Sequence, residues 1–174
     1  MEDASRGIYS HRLGDLWLVG GASNSGCAIL RQQGFSDADL IRLSAMIDPY
    51  SSSGLDYYPL TGPGERFPTS DPYKQPVLEP KPDLSQYKGD RCVDTEWRRQ
   101  YLHGILEGMT KVEKEGYDAF NSLGATPVTE VRLPYTTYTH CISTQKYDTY
   151  HTNHVYTRVC IIYTIGADLR WRSP

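Results

Sequence analysis

The chain has 174 residues, with 18 Lys and Arg against 21 Asp and Glu and a formal charge of −3 at pH 7. That length is enough to bury one core, and the scattered, slightly acidic charge excludes a basic face for nucleic acid. No apolar run approaches the roughly 20 residues that cross a bilayer. Met1–Arg6 carries two acids and no apolar stretch of the secretory kind, so the expected location is the cytosol. Cys27, Cys92, Cys141 and Cys160 are spaced too widely for a zinc motif or a small disulfide framework and read as reduced thiols.

In chain order, Gly7–Leu13 and Leu16–Val19 flank Gly14-Asp15, a two-residue connection suited to a hairpin with positive φ. Gly20-Gly21-Ala22 is expected to end the strand. Ser23-Asn24-Ser25 supplies N-cap chemistry for a helix through Cys27–Arg31, and Gly34 stops it. Ser36 with Asp39 has the form of a capping box and opens a helix with Leu40, Ile41, Leu43 and Ile47 on its apolar face. Asp48 to about Asp90 holds eight of the eleven prolines and reads as ordered loop. Leu55–Leu60 is its one candidate strand. A loop of this length is expected to pack on a larger body or to be partly disordered.

About Thr95 to Arg132 is the clearest helix, with Trp97, Tyr101, Leu102, Ile105, Leu106, Met109 and Val112 at three- and four-residue steps. Gly104 and Gly108 lie four apart, where another backbone can approach. Glu107 and Lys111 form an i,i+4 pair on the exposed side. The pattern resumes at Tyr117–Phe120 and ends at Gly124, a good C′ residue. Val128–Arg132 alternates as a strand. Leu133–Pro174 differs in kind: six tyrosines, eight threonines and three histidines in 42 residues, no Glu, and no period.

Three blocks, in order, resemble the FGGY carbohydrate kinases. Trp17–Arg31 is similar to the family's strand, glycine turn and helix against the nucleotide. Tyr58-Pro59-Leu60 with Gly64-Glu65-Arg66-Phe67-Pro68 resembles its loop with a Gly-Glu-Arg core. Leu102–Gly108, continuing to Leu123-Gly124-Ala125, resembles the helix before its adenine loop. The blocks span about two thirds of the chain and are most similar to the ribulokinase- and xylulokinase-like branch of plants and cyanobacteria.

The resemblance implies an α/β fold, part of the actin-like, ribonuclease H-like ATPase domain that forms the C-terminal half of FGGY kinases. It would occupy residues 7–132, with a non-family tail at 133–174 expected to be disordered. It implies ATP with Mg as cofactor, a small sugar such as a ketopentose as substrate, and a plastid as an option for an intact plant parent. No membrane or nucleic acid is implied. Independently, a strand ending in glycines and feeding a capped helix presents free N–H groups to an anion. The candidate nucleotide-binding residues are therefore Ser23, Asn24, Ser25 and Gly26. By analogy with the glycerol kinase members, Gly26 is the backbone contact; Leu30 replaces a glutamine of that branch.

Glu65 and Arg66 are read as a structural ion pair fixing their loop, rather than as a base and a phosphate ligand. No catalytic residue is assigned. The family's aspartate base, its first phosphate loop and its glycine-rich adenine loop have no counterpart in the sequence. Isolated kinase activity is therefore not expected, and a truncated, non-enzymatic interaction fragment is the alternative. The change in composition after Arg132 suggests translated noncoding sequence, and Lys88–Arg99 is read as a second, shorter insertion. Zinc binding through His140, Cys141, His151, His154 and Cys160 is disfavoured by the short His spacing and the lack of a Cys-x-x-Cys pair.

Overall fold

The computed structural model of the chain describes residues 1–82, 95–127 and 161–165. It is a small mixed α/β structure. Strands β1 (Tyr9–Leu13) and β2 (Leu16–Ala22) form the expected hairpin, in register from Tyr9 opposite Gly20 to Leu13 opposite Leu16. Gly14 supplies the turn's positive φ, at 59°. Gly20-Gly21-Ala22 form the end of β2, as expected, with the glycine pair still in the ladder. A Cβ on Gly21 would stand 2.1 Å from Cδ2 of Phe67, so the missing side chain is the seat of that ring.

Helix α1 (Ala28–Gln32) follows, then α2 (Asp37–Ser44) and the 28-residue α3 (Thr95–Ser122). The Ser36–Asp39 capping box opens α2 as expected. Leu43 is fully buried and Leu40 and Ile47 pack beside it, but Ile41 points outward at 65% exposure. Helix α3 runs without a break through Glu113–Gly116. It closes at Gly124, whose φ is 82°, with the Ala125 N–H donating to the Phe120 carbonyl at 3.1 Å.

Strand β3 (Ile161–Ile165) pairs antiparallel with Leu18–Ala22, giving the sheet order β1-β2-β3. These five residues thus depart from the expectation of a disordered tail. Ile-Ile-Tyr-Thr-Ile is rich in β-branched and aromatic residues, and β2 offers it an unpaired edge. The remainder of 133–174, the strand expected at Val128–Arg132 and the disfavoured zinc ligands lie outside the described residues.

Two apolar clusters lie along α3, which at about 1.5 Å per residue is long enough to serve both. Tyr101, Leu102, Ile105 and Leu106 of its first half pack with Ile29, Leu30, Phe35, Leu43 and Tyr57. Tyr117, Ala119 and Phe120 of its second half pack with Ile8, Val19 and Phe67. Arg98 is buried and ties α3 to the α1–α2 junction. Its Nη2 donates to the Gly34 carbonyl at 2.6 Å and reaches Asp39 at 3.4 Å, while its guanidinium lies 4.3 Å from the Phe35 ring centroid. Thr95–Arg99, the described part of the segment read as an insertion, form the first turn of α3, with Arg98 buried; residues 88–94 lie outside the described set.

The described part of the proline-rich loop, 48–82, is laid along α3. Leu55–Leu60 is not a strand: two isolated bridges, Ser25 with Leu60 and Tyr58 with Val77, are all its ladder pairing among the described residues. What holds it is the glycine face of α3. A Cβ on Gly108 would lie 2.7 Å from the Tyr57 carbonyl oxygen, and one on Gly104 would lie 2.9 Å from Leu55 and Tyr57 side-chain atoms. The Glu107–Lys111 pair gives way to contacts with the same loop. Lys111 pairs with Asp56 at 2.6 Å, and Glu107 accepts the Ser53 N–H at 3.0 Å.

Gly108→Ala sets a gain in helix propensity of about 1 kcal/mol against an overpacking cost of about 1–3 kcal/mol. Because the obstructing atom is backbone, the clash wins. Urea unfolding is expected to show a net loss of up to about 2 kcal/mol. At Gly62 a Cβ meets nothing within 4 Å, and Gly62→Ala should be neutral or stabilising by up to about 1 kcal/mol. Equal effects at the two sites would contradict the close-approach account.

Candidate functional site

The turn Ser23–Gly26 leaves β2 and enters α1, and the loop Gly64–Phe67 closes over it. The link between them is Glu65, 2% exposed. Its Oε2 accepts from Ser23 Oγ at 2.8 Å and from the Tyr58 hydroxyl at 3.2 Å. Its Oε1 accepts from the Asn24 N–H at 2.6 Å and the Arg66 N–H at 2.9 Å, with the Phe67 N–H at 3.5 Å. A buried carboxylate is stable only when its lone pairs are met by donors, and here both oxygens are. Burial, then the Glu65 charge, push the Tyr58 hydroxyl above its ordinary value, so it remains a donor.

This geometry revises both sequence-based assignments. Glu65 does not pair with the Arg66 guanidinium, whose Nε donates to Asn24 Oδ1 at 2.7 Å. The turn's donors are also less free than its composition suggests. Asn24 N–H goes to Glu65, and Ser25 N–H goes to Ser23 Oγ at 2.9 Å. Ser23 does not cap α1 either. The N-cap is Cys27, without a side-chain cap bond, and α1 is five residues long, too short to add a useful macrodipole. Ser23 and Ser25 are buried, Asn24 is exposed, and Gly26 is half-buried. Ser25 Oγ has no hydrogen-bond partner among the described residues. The groups left for a ligand are thus the backbone at Gly26 and the exposed Arg66 side chain, while Ser25 Oγ is unpartnered but enclosed.

Glu65 is equally unavailable as a magnesium ligand, because its oxygens are committed to protein donors. Among the described residues no group of three or more His, Cys, Asp or Glu side chains is placed to hold a metal ion. No helix there is long and apolar enough to cross a membrane. The tie between Glu65 and the turn spans about forty residues of sequence and had no local signal beyond the Gly-Glu-Arg spelling. Tyr58 was legible as part of a candidate strand and of the second family-like block, not as a partner of Glu65. A search against protein-family models finds no match to the chain.

A second polar cluster joins Ser53, Glu107 and His103. Glu107 Oε2 accepts from both the N–H and the hydroxyl of Ser53, and its Oε1 lies 3.8 Å from His103 Nε2. The serine hydroxyl faces the carboxylate rather than the imidazole, so no base is set beside a nucleophile. The cluster anchors the loop to α3, helped by Gln100 donating to the Ser53 carbonyl at 2.7 Å.

Burial holds His103 below its ordinary 6.5; Arg99 reinforces the shift, and the Glu107 and Asp48 charges oppose it. The folded chain therefore binds this proton less readily than the unfolded chain, and stability falls as pH drops through 6.5. His103→Asn should remove that acid-side slope in chemical unfolding. Parallel pH profiles for the two proteins would contradict the assignment. For Glu65→Ala, which leaves the buried Ser23 hydroxyl and the part-buried Asn24 and Tyr58 donors unmet, a loss of about 3–5 kcal/mol is expected. Glu65→Gln, which keeps one acceptor oxygen, should cost about half as much. Faster hydrogen exchange at the Asn24 amide in both variants is the local check.

Proposed function

We propose that Gly7–Arg132 corresponds to part of the nucleotide-binding domain of an FGGY-type sugar kinase, in the actin-like, ribonuclease H-like class, and that this chain is not a competent phosphotransferase by itself. The observation that carries the reading is the Glu65 clasp. The first two family-like blocks, about forty residues apart in sequence, are joined by a buried carboxylate. The third block seats the second on its glycine face. Segments that resemble one family are thus also one packed unit, as pieces of one domain should be.

In the parent reaction, ATP supplies the phosphoryl group and Mg neutralises its charge. The residues of this chain would act from the phosphate side, with Gly26 admitting the ligand close to the backbone. The hydroxyl acceptor would be a small sugar of the ketopentose class. Proton abstraction and adenine stacking are assigned by the resemblance to segments without counterparts here. One observation favours the alternative of a non-enzymatic interaction fragment: Leu13, Leu16 and Trp17 at the hairpin are 58%, 40% and 45% exposed.

The recombinant chain should produce no ADP from ATP with ribulose or xylulose, and its ATP dissociation constant should be weaker than about 1 mM. The affirmative test is a chimera in which residues 7–127 replace the matching segment of an intact FGGY kinase. ATP-dependent ketopentose phosphorylation is expected, with Gly26→Val raising KM for ATP more than KM for sugar. A chimera that folds and binds sugar but turns over no ATP would rule out the kinase reading.

A further inference from the structure

Resting on that reading for the class of ligand, we propose that Arg66, clamped by Asn24, is the residue through which this turn takes a phosphoryl group. Three of the donors that the turn's composition would offer an anion are already committed. Glu65 holds Asn24 N–H and Ser23 Oγ, and Ser23 Oγ in turn holds Ser25 N–H. A phosphoryl group arriving there also meets the buried negative charge of Glu65, so a cation between the two is needed.

Arg66 is built for that position. Its main chain is fixed on two sides. The N–H donates to Glu65 Oε1 at 2.9 Å, and its carbonyl oxygen lies so close to Gly7 that a Cβ there would be 1.9 Å away. Its side chain is fixed as well. Nε donates to Asn24 Oδ1 at 2.7 Å, and the other end of that amide donates from Nδ2 to the Gly64 carbonyl at 3.0 Å. The two contacts together set the amide's orientation. Arg66 is exposed, and with Nε occupied the terminal Nη1 and Nη2 are left as a planar fork for ligand. Such a fork matches two phosphoryl oxygens, and because the guanidinium is already ordered, less conformational freedom is lost on binding. Lys74 stands over the Tyr58 ring, 4.4 Å from its centroid, and not on the Asn24–Arg66 clamp. Asn24 is in this scheme a positioning residue.

The test is a titration of the ¹⁵N-labelled 174-residue chain with inorganic tripolyphosphate and, separately, with ATP, following the Asn24–Gly26 amides and the Arg66 Nε–H resonance. Saturable shifts at these positions are expected in the wild type. Arg66→Ala should weaken the apparent affinity by about tenfold. Arg66→Lys, which keeps the charge but loses the fork, should fall between. Asn24→Ala should weaken binding with the charge unchanged, and Arg12→Ala, at the far hairpin tip, should titrate as wild type. The proposal is overturned if Arg66→Ala titrates as wild type, if Arg12→Ala loses as much, or if the wild type shows no shift at these positions. The outcome is separable from the kinase reading. An active chimera with a wild-type-like Arg66→Ala titration removes only Arg66, whereas a loss in Arg66→Ala with an inactive chimera removes only the kinase reading.

Discussion

Placing a carboxylate inside a protein costs several kcal/mol unless donors replace its lost water. At Glu65 that requirement organises the chain around it. The donors come from the end of β2 (Ser23, Asn24), from the proline-rich loop (Tyr58) and from its own neighbour (Arg66). Each has to be in place for the charge to stay buried, so the hairpin, the turn and the loop are fixed relative to one another by one side chain. The adjoining Phe67 completes the arrangement, filling the space above Gly21 and stacking on Phe120 of α3 with ring centroids 5.3 Å apart. A single loop segment therefore contributes a polar anchor on one side and an apolar anchor on the other.

The long helix plays the complementary part. A proline-rich segment cannot satisfy its backbone in a regular ladder, and loop 48–82 is instead held by what α3 presents. Gly108 lets the Tyr57 backbone come close and Gly104 seats the Leu55 and Tyr57 side chains, Glu107 receives Ser53, and Lys111 reaches Asp56. The exposed Lys111–Asp56 pair contributes little by itself. The close approach at the two glycines and the buried cluster around Tyr57 and Tyr101 matter more, because their cost on disruption is paid in packing and not in screened charge.

Local signals were legible in the sequence where local physics decides the outcome. The hairpin, the capping box at Ser36, the stop at Gly34, the C′ glycine at 124 and the amphipathic face of α3 follow from turn chemistry and periodicity. The glycine pair on α3 was legible as a site of close approach, though not what would approach. The misses share one cause, partners distant in sequence. Gly21 reads as part of a strand end, but nothing beside it announces Phe67 seated on it. Ser23 reads as a helix cap until Glu65 takes its hydroxyl. Glu65 and Arg66 read as an ion pair because they are neighbours, yet each finds its partner on the turn. For the candidate site, the residues of the turn were legible while their availability was not, since hydrogen bonds from about forty residues away decide which donors remain.

The central claim is that the turn and the loop form one unit through Glu65, and a double-mutant cycle between Ser23→Ala and Glu65→Gln measures it directly. Both residues are buried and in hydrogen-bond contact at 2.8 Å, so their effects on unfolding free energy should be non-additive, with a coupling of about 1–3 kcal/mol. Additivity within about 0.5 kcal/mol would mean that the carboxylate does not hold the turn, and the account of the site built on it would be wrong.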